Sequence, residues 1–280
     1  MTDLHHDVRG SGPVLLVVPG GAGHPMGLDR MADRLADRFT VVTYDPLGLA
    51  HGRLGLPVEQ QRVEVWSDGA HRVLEAVVPE GQSAYLVGFS SGGIAALDLL
   101  ARRPDRLRHV LAHEPPVVEV LPDAARQRAM FAQVADTYRA AGLKAAGVRL
   151  AAGLEGRPGP AELAEAEPPE PGDDVTSPMG IFLTRVLLSF TAYAPDTTAL
   201  KAASARLTLA AGVDSRGGLL HRTARSAAEL TGAAFTEFPG GHVGAAEHPE
   251  EFAERLADTL LRPGPPAPVL RRDSPEPGMR

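Results

Sequence analysis

The 280-residue chain predicts an α/β fold, a mostly parallel sheet with helices on both faces, and three observations carry that expectation. Short β-branched or apolar runs recur along the sequence, amphipathic helical stretches separate them, and the runs close on glycine, proline or polar turn residues. With a mass of 29.5 kDa and 44% hydrophobic residues, there is ample material for one large core.

Taken in order, Val14-Leu15-Leu16-Val17-Val18 is a continuous apolar run into Pro19-Gly20-Gly21, as expected of a buried parallel strand that ends in a loop. A helix follows from about Leu28 to Asp37, and Phe39-Thr40-Val41-Val42-Thr43-Tyr44 is a second, β-branched strand closed by Asp45-Pro46-Leu47-Gly48. An amphipathic helix over Val63 to Val77 leads to a third strand, Ala84 to Val87, and an alanine- and leucine-rich helix from Ile94 to Ala101. Further strands are expected at Arg108 to His113, Leu207 to Ala211 and Ala234 to Phe238.

The alternation stops between about Pro115 and Ala205, where helical stretches near 124 to 152 and 179 to 193 replace it. This reads as a helical lid, residues 116–204, inserted after the strand ending near His113, with the core formed by 1–115 and 205–262. Inside it, 155–174 holds seven acids against Arg157 and is rich in proline and glycine, the composition of an exposed mobile loop. The stretch Ile181 to Tyr193 is apolar over most of its circumference, suited to roofing an apolar pocket or to core packing. From Pro263 onward six prolines and no periodicity indicate a disordered tail, 263–280.

Composition narrows the function classes. The chain has no cysteine, which removes disulfides, thiol catalysis and cysteine zinc sites. Its net charge of −7 is concentrated in the acidic stretch, and no basic face interleaved with aromatics supports nucleic-acid binding. Without a basic and apolar leader or a long apolar run, a cytoplasmic protein with no membrane association is expected. Neither a metal nor a cofactor is expected, the partner is a small-molecule substrate, and the oligomeric state is left open.

Residues 88 to 92 read Gly-Phe-Ser-Ser-Gly, a G-x-S-x-G between strand and helix with Ser90 at the apex. A serine hydroxyl is a poor nucleophile, so it must stand clear of the backbone where a base reaches it, and a sharp strand-to-helix turn puts it there. The base expected for it is His242, in Pro239-Gly240-Gly241-His242-Val243-Gly244, because a histidine in a glycine-rich loop after the last strand lies on the same sheet edge as Ser90. His248 marks a helix start, His5, His6, His71 and His221 read as surface residues, and His24 and His113 as packing or hydrogen-bonding residues beside strand ends.

A catalytic histidine needs a carboxylate to fix its tautomer, and two positions compete for that role. Asp214 follows the fifth strand and Glu114 the fourth; both preserve the order nucleophile, acid, histidine, and Asp214 is preferred. Glu114 has the alternative of pairing with an arginine such as Arg216, and Asp214 that of an ordinary turn residue. Backbone N–H groups of Gly21 and Ser91 are the expected oxyanion donors. As a dinucleotide loop, Gly20-Gly21-Ala22-Gly23 with Pro25 following fits G-x-G-x-x-G poorly.

Together these motifs resemble the α/β-hydrolase superfamily: Val17 to Gly21 stands where that family has its oxyanion loop, Tyr44 to Gly48 resembles its D-x-x-G turn, Gly88 to Gly92 its nucleophile elbow, and His242 its base. The resemblance covers about residues 13–115 and 205–261 and implies an α/β-hydrolase fold. The family's G-x-x-D acid position falls on Ser215, one residue past Asp214, while branches with the acid after the preceding strand match Glu114. The chemistry implied is that of a serine esterase: cleavage of a carboxylic ester or lactone of a small apolar substrate through an acyl-enzyme on Ser90. The alternative is a non-hydrolytic member of the fold, an acyl transferase, a cofactor-free lyase or a ligand-binding protein.

Overall fold

The computed structural model describes residues 4–23, 27–159 and 176–261. His24, residues 160–174 of the acidic stretch and the tail 263–280 lie outside the described residues.

Seven strands form one sheet: β1 (His6–Gly10), β2 (Val14–Val18), β3 (Thr40–Tyr44), β4 (Ala84–Phe89), β5 (Leu107–His113), β6 (Leu207–Gly212) and β7 (Ala234–Phe238). Their order is β1-β3-β2-β4-β5-β6-β7, with β1 antiparallel to β3 and every other pair parallel. The six parallel strands are those expected from the apolar runs, and the sheet is mostly parallel as predicted. The exception is β1, which lies at the edge and carries no apolar run to announce it; its Val8 is exposed.

Because successive side chains on a strand point to opposite faces, each run feeds two cores. Leu16, Val18, Val42, Leu86 and Val110 pack on one face with α3 (Val63–Val77) and α4 (Ser91–Arg102). Leu15, Val17, Val41, Val87 and Leu111 pack on the other against α1 (Asp29–Leu35) and a C-terminal helix, Pro249–Leu261. Full burial on both faces is why these strands read as continuous apolar runs rather than alternating ones.

Beyond α2 (Leu47–Arg53), the segment after β5 supplies α5 (Ala124–Leu154), α6 (Pro178–Ile181), a π-helical turn Phe182–Val186, α7 (Leu187–Thr191) and α8 (Thr197–Ala202). The chain then adds α9 (Leu219–Thr231), α10 (Gly244–Glu247) and the C-terminal helix α11 (Pro249–Leu261). The stretch expected to be helical near 124 to 152 is helical, with Gly142, at φ 71° and ψ −173°, separating two helices within α5. The stretch 179 to 193 is helical but not regular, since five of its residues take the wider π geometry. A third apolar cluster, with Phe131, Val134, Tyr138, Leu183 and Leu187, holds this inserted segment together. Among the described residues no helix is long and apolar enough to cross a membrane.

Candidate active site

Ser90 stands between β4 and α4 with φ 52° and ψ −118°, a left-handed conformation that costs an ordinary residue on the order of 1–3 kcal/mol. Two glycines make the turn possible by close approach. A Cβ on Gly92 would collide with the carbonyl oxygens of Pro19 and Val18, and one on Gly88 with the Gly92 carbonyl and the Ala96 side chain. The turn therefore presses α4 against the end of β2, which brings Ser90 beside Gly20. The Ser90 N–H donates to the His113 carbonyl at 2.9 Å, tying the apex to the end of β5.

Past β7 the chain turns through Gly240 (φ 73°) and presents His242, whose side chain is about one third exposed. Its Nδ1 lies 2.8 Å from Glu114 Oε2. Glu114 is completely buried, adopts φ 47°, and accepts a second hydrogen bond at Oε1 from the Gly212 N–H at 2.9 Å. Burial alone would push its carboxyl upward; the bond to His242, the neighbouring His113 and the nearby Ser215 hydroxyl overcome that and hold it down at about 2. Glu114 is thus the carboxylate bonded to His242.

Asp214 does not occupy that place. It is exposed in a turn at Val213–Ser215, and its recorded contribution to the site is a backbone N–H that donates to Gly240 O at 3.0 Å, steadying the histidine loop. The preference for Asp214 is corrected on geometry: the side chain that meets His242 comes from the end of β5, one strand earlier. Nor does Glu114 pair with Arg216, whose guanidinium is engaged by Glu237. Ser215 stands at the position where the sequence resemblance expected an acid, and its hydroxyl helps hold the Glu114 carboxyl down, a role that nothing in the sequence pattern marked.

His113 is buried with both ring nitrogens unpartnered, in a box of Phe89, Phe238 and Phe252 with ring centroids 5.8, 6.0 and 5.2 Å away. Desolvation lowers its pKa to about 4, so it is a neutral packing residue at neutral pH, in line with the expectation for it. His221, expected at the surface, is buried and bonded to Glu237 at 3.0 Å.

Ser90, Ser91, Gly21 and His242 all line one cavity of about 180 Å³. Its remaining described walls are almost wholly apolar: Phe89 and Leu28 from the core, Phe131, Leu150 and Leu154 from α5, Phe182 and Leu187 from the inserted segment. No Lys, Arg, Asp or Glu lines it among the described residues. Ser91 opens α4, where the first backbone N–H groups of a helix lack intrahelical partners, and Gly21 lies in a turn closed by Gly23 N–H to Gly20 O at 2.9 Å. Among the described residues no cluster of three or more histidine, aspartate or glutamate side chains is placed to hold a metal ion.

A parallel sheet with this strand order, an elbow serine and a loop histidine at one sheet edge define an α/β hydrolase. The chain belongs to the alpha/beta hydrolase family, whose model matches residues 14–255. It is similar to the "Uncharacterized hydrolase YraK" of Bacillus subtilis (strain 168), with 30% identity over 269 residues and 92% of each chain covered. Among solved structures it is similar to a thermophilic esterase from Thermogutta terrifontis, at 18% identity and TM-score 0.67 with 92% of each chain covered. An enol-lactonase from Burkholderia xenovorans LB400 follows at 17% identity and TM-score 0.57, covering 92% of this chain and 96% of that one. At such identities the structural likeness speaks to the fold.

Proposed function

We propose that this hydrolase cleaves a carboxylic ester or lactone of a small, largely apolar substrate through an acyl-enzyme on Ser90, with His242 as general base, Glu114 as the acid of the triad and residues 116–204 as a cap. The observation that carries the reading is the 2.8 Å bond from buried Glu114 to His242 behind a cavity that His242 shares with Ser90. The esterase and lactonase activities named for two structural neighbours agree with it.

In this scheme the Ser90 hydroxyl attacks the acyl carbon while its proton passes to Nε2 of His242. Glu114, its carboxyl held down at about 2 and so ionised at neutral pH, holds the proton on Nδ1 and stabilises the imidazolium that forms. The backbone N–H groups of Gly21 and Ser91 receive the developing oxyanion. His242 then protonates the departing alcohol, and a water activated by the same ring releases the acid. A cavity of about 180 Å³ compares with the roughly 150 Å³ that holds a benzene ring. The acyl or alcohol group it takes is therefore phenyl-sized or a chain of a few carbons, and the lack of charge among the described lining residues favours a neutral substrate.

The test is treatment of the intact protein with a fluorophosphonate, followed by mass measurement and mapping of the adduct. One adduct at Ser90, absent in Ser90→Ala and slowed strongly in His242→Asn, is expected. A folded protein that takes no label would replace this reading with a non-hydrolytic role for the fold.

A further inference from the structure

Resting on the serine-hydrolase reading, we propose that Phe182 is a specificity-determining residue: its ring limits the size of the substrate group attached to the reacting carbonyl. The first observation is contact. A Cβ on Gly21 would overlap Cδ2 and Cε2 of Phe182, so the ring already rests on the backbone of the residue assigned as an oxyanion donor. It also lines the cavity that Ser90 and His242 share. A carbonyl oxygen held about 3 Å from the Gly21 N–H brings the substituents of its carbon against this ring.

The second observation is rigidity. Phe182 begins the π-helical turn, and its neighbours Ile181 and Leu183 are buried in two different apolar clusters, so the backbone is anchored on both sides. The turn is also pinned from outside. The Gln61 N–H donates to Arg185 O at 2.8 Å, Gln60 Nε2 donates to Thr184 O at 2.9 Å, and the Ser189 hydroxyl donates to Gln61 O at 2.7 Å. Gln61 is itself fixed, accepting from Trp66 Nε1 at 3.1 Å and seated where a side chain on Gly48 would stand. A ring held this way acts as a wall; a bulky substituent must fit beside it because the turn cannot swing away.

The experiment compares wild type, Phe182→Leu and Phe182→Ala on p-nitrophenyl acetate, isobutyrate and pivalate. The ratio of kcat/KM for pivalate to that for acetate should rise about tenfold or more in Phe182→Ala, the scale of one methyl group in an apolar pocket, with Phe182→Leu between. A second measurement needs no turnover: in a Ser90→Ala background, calorimetry gives the affinities of acetophenone and its tert-butyl analogue, and Phe182→Ala should shift their ratio toward the larger ketone. If both ratios stay unchanged in folded variants, Phe182 sets no size limit. If wild type neither hydrolyses the esters nor takes the fluorophosphonate label, the hydrolase reading fails, and the ketone affinities still decide the role of Phe182.

Discussion

Replacing Glu114 by glutamine tests the assigned acid with almost no change of shape. The carboxylate is fully buried and makes two recorded bonds, Oε1 from the Gly212 N–H at 2.9 Å and Oε2 to His242 Nδ1 at 2.8 Å. A glutamine keeps its carbonyl for Gly212 and turns its amide toward Nδ1. An amide N–H donating to Nδ1 forces the proton onto Nε2, the nitrogen that accepts the Ser90 proton in the proposed mechanism. A wrong tautomer of this kind lowers kcat by roughly 10⁴ in a serine protease, equivalent to about 5 kcal/mol. The expected loss in Glu114→Gln is therefore on the order of 10³ to 10⁴. Exposed Asp214, by contrast, should give an Asp214→Asn enzyme within about twofold of wild type. The assay is kcat on a p-nitrophenyl ester together with the rate of fluorophosphonate labelling, with circular dichroism to establish folding. A folded Glu114→Gln within tenfold of wild type, or an Asp214→Asn loss exceeding it, would refute the assignment. The same variant alters acid stability. The Glu114 carboxyl falls from 4.5 to about 2 in the fold, so its contribution, on the order of 3 kcal/mol, is present above the unfolded value and is lost as pH falls through about 2; Glu114→Gln should lack that limb.

His113 should produce a separate, higher acid limb. Its folded pKa is lowered from 6.5 to about 4, so its neutral form is compatible with the fold above 6.5, and stability falls by roughly 3 kcal/mol between 6.5 and 4 as the unfolded chain takes up a proton. Urea midpoints at pH 7 and pH 4.5 should converge in His113→Phe relative to wild type; an equal acid shift in both would remove His113 as the cause. At the elbow, Gly92→Ala directs a methyl group into the carbonyls of Pro19 and Val18, backbone atoms that cannot rotate aside. A loss of about 1–3 kcal/mol or more, read as a melting temperature lower by about 2–4 °C per kcal/mol, is expected along with slower labelling of Ser90, and an unchanged melting point would show that the turn relaxes freely.

What the sequence disclosed divides along physical lines. The parallel strands were legible because burial on both faces leaves an unbroken apolar run such as Val14 to Val18, whereas β1, half solvent-exposed at the edge, has no such run. The convergence of Ser90 and His242 on one cavity was legible because each sits among glycines after a strand at the same sheet edge. The carboxylate bonded to His242 was not: choosing between Asp214 and Glu114 depends on which side chain turns inward, and that depends on a backbone torsion at Glu114 that residue identities do not disclose. Phe182 was legible as an apolar residue on an apolar helix, but its meeting with Gly21 depends on the π-helical turn, which a regular 3.6-residue periodicity does not anticipate. His221 was misplaced because a polar residue looks exposed until its partner, here Glu237, is known.

Among the described residues, positive-φ strain outside glycine falls at Ser90 and Glu114. One hydrogen bond, Ser90 N–H to His113 O, joins the apex of the elbow to the residue before the acid. The parallel pairing of β5 with β6 places His113 opposite Ala210, and Glu114 extends that ladder by donating its N–H to Ala210 O at 2.8 Å. Only then does the chain turn into the left-handed region and send the carboxylate across the end of β6 to the Gly212 N–H. Gly212 lies so close to Gly240 and Gly241 that a side chain there would collide with them, which draws the histidine loop down onto the same spot. An acid at the end of β5 has farther to reach than one after β6. The extra methylene of glutamate over aspartate and the turned backbone both extend that reach. Two strained residues costing on the order of 1–3 kcal/mol each persist only where surrounding contacts over-determine them. Here those contacts are the sheet ladder itself, so the placement of Ser90 and Glu114 is inherited from the most buried part of the fold.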